Sequence, residues 1–151
     1  MSARFDLAVV GAGILGLAHA LAAARAGLRV VVIDRDAQAR GASIRNFGFV
    51  TVTGQAAGAC WRLARRSRAL WAEVAAAAGL PVLQRGLLVT ARRPEAEAVI
   101  DAFLATDMAE GCRRMTPAEA AEAVPALRRE ALAAALWSPH EIRVESREAL
   151  P

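Results

Sequence analysis

Three glycines and one carboxylate carry the strongest chemical signal in this chain. Gly11, Gly13 and Gly16 stand in the spacing G-x-G-x-x-G, and Asp34 follows 18 residues after the last of them. Glycine at the first position allows a tight strand-to-helix turn, and at the second lets backbone approach a pyrophosphate. At the third it lets a helix lie close on the preceding strand. Unpaired amides at the helix start, with the positive end of its dipole, then face the phosphates. A carboxylate at Asp34 accepts hydrogen bonds from a ribose; an acid there favours an unphosphorylated ribose, hence FAD or NAD over NADP.

Such a turn must be held between a strand and a helix, and the flanking residues supply both. Leu7, Val9 and Val10 form an apolar run before Gly11, a helical pattern follows Gly13, and Gly27 closes it. Leu28 to Ile33 is a second apolar run that ends in Asp34, completing a βαβ pattern. Leu7 to Ala24 is also 18 residues without a formal charge, near the lower limit of a membrane span, and Arg4 ahead of it imitates a signal peptide. The glycine spacing, Asp6 in the leader position and the strand that follows favour a buried parallel strand with its packed helix instead. The expectation is therefore a cytoplasmic protein with no transmembrane segment.

The chain has 151 residues, enough for one ordinary core. It has no Lys and no Tyr, its 19 basic residues are all Arg, and roughly a quarter of it is Ala, a pattern that codon bias produces. The formal charge is +4, but acids interleave with the arginines and no aromatic–basic stacking surface is visible, so no nucleic-acid partner is expected. Cys60 and Cys112 lie far apart in apolar surroundings and read as reduced, partly buried thiols. His19 and His140 are isolated, and no metal site is expected.

After Asp34 a simple NAD-type half-domain would continue into a second helix and a third parallel strand. A loop rich in Gly, Ser, Thr and Asn comes instead. It runs from Gly41 to Gly58, with Arg40 before it and Arg45 within it. It could bring amide, hydroxyl and side-chain amide groups to a second phosphate and a ring system, or be a surface connection. A helix is expected from about Gly58 to Ala78, with Cys60, Leu63, Ser67, Leu70, Trp71, Val74 and Ala78 on one face. Arg62, Arg65, Arg66 and Arg68 then read as a solvated face, and Gly79 and Pro81 stop the helix. A strand over Gln84 to Arg92 is followed by a helix from Pro94 to about Met108 and a short strand over Cys112 to Met115. Thr116 to Glu119 is a capping-box start for a helix to about Val124. Two strands, Ala133 to Trp137 and Glu141 to Val144, flank a turn at Ser138-Pro139-His140, and a helix is expected to open after the Ser146 cap. Two parallel strands and one helix leave sheet edges uncovered, so the pattern reads as the front part of a longer protein.

The run GAGILGLAHALAAARAGLRVVVIDRD, with GASIRNFG and the long helix after it, resembles the N-terminus of FAD-dependent amine and amino-acid oxidoreductases. These are the D-amino-acid oxidase, glycine oxidase and sarcosine oxidase superfamily. RGASIRNFGFVTVTGQ, LARRSRALW and VLQRGLLVTARRPEAE are similar to a bacterial subgroup associated with phosphonate utilisation. The resemblance covers the whole chain, and the chain would be less than half of a typical member. It implies an α/β fold: a Rossmann-like FAD/NAD-binding βαβ start over residues 1–80 and the beginning of an α+β substrate or cap domain over 81–151, an incomplete domain.

Carried onto this sequence, the resemblance implies that Gly11, Gly13, Ile14, Leu15 and Gly16 hold the FAD pyrophosphate. Asp34 takes the adenosine ribose, with Arg35 beside the adenine. Ala42, Ser43, Phe47, Gly48 and Phe49 line the ribityl and flavin side. Arg45 and Asn46 stand near the ring, where Arg45 could fix an anionic group or stabilise the reduced flavin's charge, or simply face solvent. The implied reaction is oxidation of the C–N bond of an amine, amino acid or aminophosphonate by hydride transfer to FAD, with oxygen or a quinone as acceptor. The segment alone is expected to bind flavin weakly and to turn nothing over. An NAD-dependent dehydrogenase, a non-catalytic nucleotide-binding or assembly module and an anion or nucleic-acid binder using the Arg62 to Arg68 face stay open as alternatives.

Overall fold

In the computed structural model, which describes residues 4–149, the chain divides by contacts into two units. One is Met1–Gly48 joined by Glu145–Pro151, and the other is Phe49–Val144. The boundary expected at residue 80 lies inside the second unit.

The first unit is the βαβ pattern realised. Strand β1 (Leu7–Val10) leads through the glycine turn into helix α1 (Ile14–Arg25), and β2 (Val30–Ile33) returns parallel to β1. The register runs from Leu7 opposite Val30 to Val10 opposite Ile33. Gly27 adopts φ +83° just past the helix, a conformation only glycine takes without strain. At the strand entry the Asp6 amide donates to Arg29 O (2.8 Å), while the Arg29 amide (2.9 Å) and Nε (3.2 Å) donate to the Asp6 carboxylate. The expected burial of the first strand does not hold: Val10 is 84% and Leu15 76% exposed, and Leu7 and Ile33 are exposed too. A two-stranded sheet covered by one helix has two open edges and an uncovered face, so its apolar residues meet solvent.

The second unit is built on one long strand. Strands β3 (Phe49–Val50), β4 (Val82–Ala91), β5 (Arg113–Met115) and β6 (Ala134–Val144) form an antiparallel sheet. β4 pairs along one edge of β6, and β5 and β3 take the two halves of the other. The turn expected at Ser138-Pro139-His140 is absent, because β6 runs straight through it as a bulge. Arg85 pairs with Ile142 and Leu87 with Ser138, so Gly86 alone faces Pro139 to Glu141. Proline has no amide to give a ladder and is tolerated in such a bulge, where Pro139 is exposed. Gly86 sits at φ +80°, and a Cβ there would overlap the Trp137 ring.

Three helices pack on this sheet. Helix α2 (Ala59–Ala78) lies against β6 and β3 and ends at Gly79, φ +67°. Helix α3 (Glu95–Leu104) stops short of the expected Met108, and a 3-10 turn over Asp107–Ala109 follows. It buries Ile100 against Ala91, Ala134 and Leu136, with Phe103 and Cys112 packed alongside. Helix α4 (Pro117–Ala123) carries the expected capping box: the Glu119 amide donates to Thr116 Oγ1 (3.2 Å) and the Thr116 amide to Glu119 Oε2 (2.7 Å). Residues 146–148 form a turn rather than the expected helix start, and Leu150 and Pro151 lie outside the described residues. No described helix is long and apolar enough to cross a membrane.

Candidate functional site

Asp34, at the tip of β2, reaches back to the glycine turn. Its Oδ2 accepts the Ala12 amide at 2.6 Å and its Oδ1 accepts the Asp36 amide at 3.0 Å. Hydrogen bonds from the amides of Asp36 and Ala12 hold the carboxyl below its ordinary range, so it is an anion at neutral pH. Gly11 takes φ +107°, and its amide donates to Ile33 O at 2.7 Å, which brings β1's end, β2's end and the helix start together. At Gly16 an added Cβ would overlap Gly11 O, so α1 lies directly on the turn. At Gly13 a Cβ would come 3.2 Å from Ser43 Oγ, which leaves a narrow cradle over the first turn of α1.

Ser43 lies in a 3-10 turn, Ala42–Ile44, within the loop that follows β2. Its Oγ accepts the Ile14 amide at 3.0 Å and thus sits on one of the donors a phosphate would use. The loop's shape is set by Asn46. Its Nδ2 donates to Ala42 O (3.2 Å) and Ser43 O (2.8 Å), and its Oδ1 accepts the Gly48 amide (2.8 Å) in an Asx turn around Phe47. Gly48 is buried at φ +70°, while the Phe47 ring is exposed. Arg45 is exposed, and its guanidinium has no partner among the described residues. Arg35 is exposed and pairs with Asp36 at 3.5 Å. The turn, Asp34 and Ser43 are therefore brought together, whereas Asn46 spends its side chain on its own loop. Sequence reasoning missed Ser146: read as a helix cap, it is buried, and its Oγ donates to Asn46 O at 2.7 Å.

In the second unit, the face expected for α2 holds only in part: Trp71 and Val74 are half-buried, but the rest of the inward side is shifted. Trp61, Ala64, Arg65, Arg68, Trp71 and Ala75 turn inward, whereas Cys60, Leu63, Ser67 and Leu70 are exposed, Leu63 by 64%. Two of the four arginines are thus half-buried and paired within the second unit. Arg65 lies over the Trp61 ring (5.1 Å) and pairs with Glu110 (2.5 Å), and Arg68 Nε donates to His140 O (2.9 Å). Cys60 is exposed, not partly buried, and Cys112 is half-buried; both are free thiols. His140 bonds Glu110 O through Nε2 (2.6 Å) and His19 bonds Leu15 O through Nδ1 (2.7 Å). Among the described residues no three His, Cys, Asp or Glu side chains group as metal ligands.

One buried carboxylate had no sequence signal at all. Glu141, 5% exposed, lies in the β6 bulge, and its Oε1 accepts the Val52 (3.2 Å) and Thr53 (2.6 Å) amides. Those amides follow β3, whose pairing with β6 ends at Val50 opposite Ile142. The side chain replaces the missing ladder acceptor. Burial pushes the Glu141 carboxyl upward, but hydrogen bonds from Thr53, Ser138 and the Val52 amide outweigh it and leave the carboxyl below its ordinary value.

Comparison with known proteins agrees with the turn's chemistry. The profile of the DAO family, described as FAD dependent oxidoreductase, matches residues 6–151. No curated protein matches the chain. Among solved structures, L-proline dehydrogenase from P. horikoshii superposes with a TM-score of 0.80 at 25% identity over 99% of this chain and 40% of its own. Glycine oxidase from Geobacillus kaustophilus gives 0.76 at 25% identity over 97% and 42%. Glycine oxidase from Bacillus cereus gives 0.78 over 96% and 42%, at 24% identity, a likeness of fold. The chain thus spans about two fifths of the length of these proteins.

Proposed function

Since the chain belongs to the DAO family of FAD-dependent oxidoreductases, we propose that its first unit is the adenine-dinucleotide end of an FAD site. The reading rests on one observation above others: the Asp34 carboxylate meets the glycine turn at Ala12, 2.6 Å away. A ribose on Asp34 and a pyrophosphate on the turn are then one ligand's neighbouring parts. The cradle fits that ligand, because side chains at Gly13 and Gly16 would fill it or displace α1.

The amides of Gly13, Leu15 and Gly16 would hold the pyrophosphate, with Gly11 making the turn and Ser43 standing between the Ile14 amide and the phosphate. Ser43 keeps its contact with the Ile14 amide and turns its own proton toward a phosphate oxygen. Asp34 accepts the ribose hydroxyls and Arg35 lies on the adenine side. Ala42, Phe47 and Gly48 would carry the ribityl and flavin side, and Arg45 would supply a cation for an anionic group. Residues of the second unit begin the substrate domain.

When bound, FAD would supply a hydride acceptor for the carbon that bears the amine, and the resulting imine would be hydrolysed by water. An amine, amino acid or aminophosphonate is the substrate class, and oxygen or a quinone takes the electrons onward. The printed names of glycine oxidase and L-proline dehydrogenase support an amino-acid-like substrate. The working site is the cytoplasm. The 151-residue chain by itself binds flavin weakly and turns nothing over, as the exposed Val10 and Leu15 suggest.

Titration with FAD, followed by flavin fluorescence, tests this. The chain should bind FAD with a Kd of about 1–100 μM, and Asp34→Ala should weaken binding roughly 10- to 100-fold, the worth of charged hydrogen bonds. Equal binding by Asp34→Ala, or preference for NAD, would refute the assignment.

A further inference from the structure

Four residues from three separate stretches form a continuous line of hydrogen bonds in the first unit. Ser146 Oγ donates to Asn46 O (2.7 Å), with a weaker branch to Ile44 O (3.3 Å). Asn46 Nδ2 donates to Ser43 O (2.8 Å), and Ser43 Oγ accepts the Ile14 amide (3.0 Å). Ser146 lies 100 residues beyond Asn46 in sequence and is 6% exposed, so its hydroxyl has no bulk water to compete for it.

The loop needs this help. Between β2 and Gly48 its regular structure is the single 3-10 turn at Ala42–Ile44, too short to hold itself. Asn46 satisfies two of its carbonyls and one amide. Among the described residues, the donor to Asn46's own carbonyl comes from outside the loop: Ser146. We infer that Asn46 and Ser146 are positioning residues: a latch from the segment after β6 that fixes the loop so that Ser43 stays on the Ile14 amide and completes the phosphate cradle.

This deepens the FAD reading and rests on it. It assigns Asn46 to the pyrophosphate side through Ser43, not to the flavin ring. It also gives the segment after β6 a part in cofactor affinity.

Calorimetric titration of the chain with ADP and, separately, with adenosine tests the latch. Ser146→Ala and Asn46→Ala should each weaken ADP binding about tenfold, the worth of one such hydrogen bond with its carbonyl left unpaired. Adenosine, which lacks phosphate, should bind as before. Ser146→Thr, which keeps the hydroxyl, should restore ADP affinity. The double variant should lose no more than the worse single one, because the two act in series.

Unchanged ADP binding in both single variants would overturn the latch. So would parallel loss of adenosine, which marks general unfolding, or fully additive losses. Amide exchange at Gly48 reads the latch without any ligand: it should speed up about tenfold in Ser146→Ala, and unaltered exchange overturns the proposal. If the unaltered chain holds ADP no better than adenosine, the phosphate reading itself fails, and the Gly48 exchange still decides the latch.

Discussion

Asp34 and Glu141 are both carboxylates that accept two groups from the chain, yet only one could be found by reading. Asp34 announces itself by its distance from three glycines; Glu141 is an ordinary glutamate in sequence whose role depends on a bulge ninety residues from its partners. Its pH behaviour follows from its partners. Net hydrogen bonding holds the carboxyl below its ordinary 4.5, so the charged form stabilises the fold above that value, and the stabilisation is lost as pH falls below it. The urea midpoint of the chain should therefore drop on acidification below pH 4.5, and drop less in Glu141→Gln, which has no proton to take up. Identical acid profiles for the two would remove the carboxylate from the account. At the glycine turn the steric case is sharper. Gly16→Ala drives a Cβ into Gly11 O, and about 3 kcal/mol or more of stability should be lost with ADP binding.

Among the elements, periodicity found each helix and most strands but could not choose between two helical faces. In α2 the apolar stripe through Cys60, Leu63 and Leu70 looked like the core face. Burial instead falls on Trp61, Ala64, Trp71 and Ala75, of which only Trp71 belonged to the expected stripe. Arg65 and Arg68 follow them inward because their stems are apolar and their guanidinium groups find Glu110 and the His140 carbonyl. The other misreading, two strands in place of β6, came from treating Ser138-Pro139-His140 as punctuation. Proline ends a ladder only where its missing amide is needed, and a bulge opposite Gly86 removes that need. Gly86→Ala should then be costly, with a positive φ and the Trp137 ring both against it. A loss of about 3 kcal/mol by chemical unfolding is expected, and a loss under about 0.5 kcal/mol would mean the bulge rearranges freely.

For the whole molecule, the βαβ start and its ligand class were legible because the dinucleotide turn is local: strand, glycines, helix and acid fall within 28 residues, from Leu7 to Asp34. The latch at Ser146 and the Glu141 anchor were not, since both join residues about 90 to 100 positions apart. The uncovered apolar residues of β1 and α1 give the chain a visible surface property: it should bind the dye ANS while folded, and masking Val10 by Val10→Thr should reduce the signal. The central claim is that the amides of the glycine turn hold a pyrophosphate. The most direct test is amide NMR during titration with FAD. The account predicts that the largest shifts fall on Gly13, Leu15 and Gly16, with Ala12 and Asp36, which report on Asp34, moving alongside them; shifts confined to other residues, or none at saturating FAD, would contradict it.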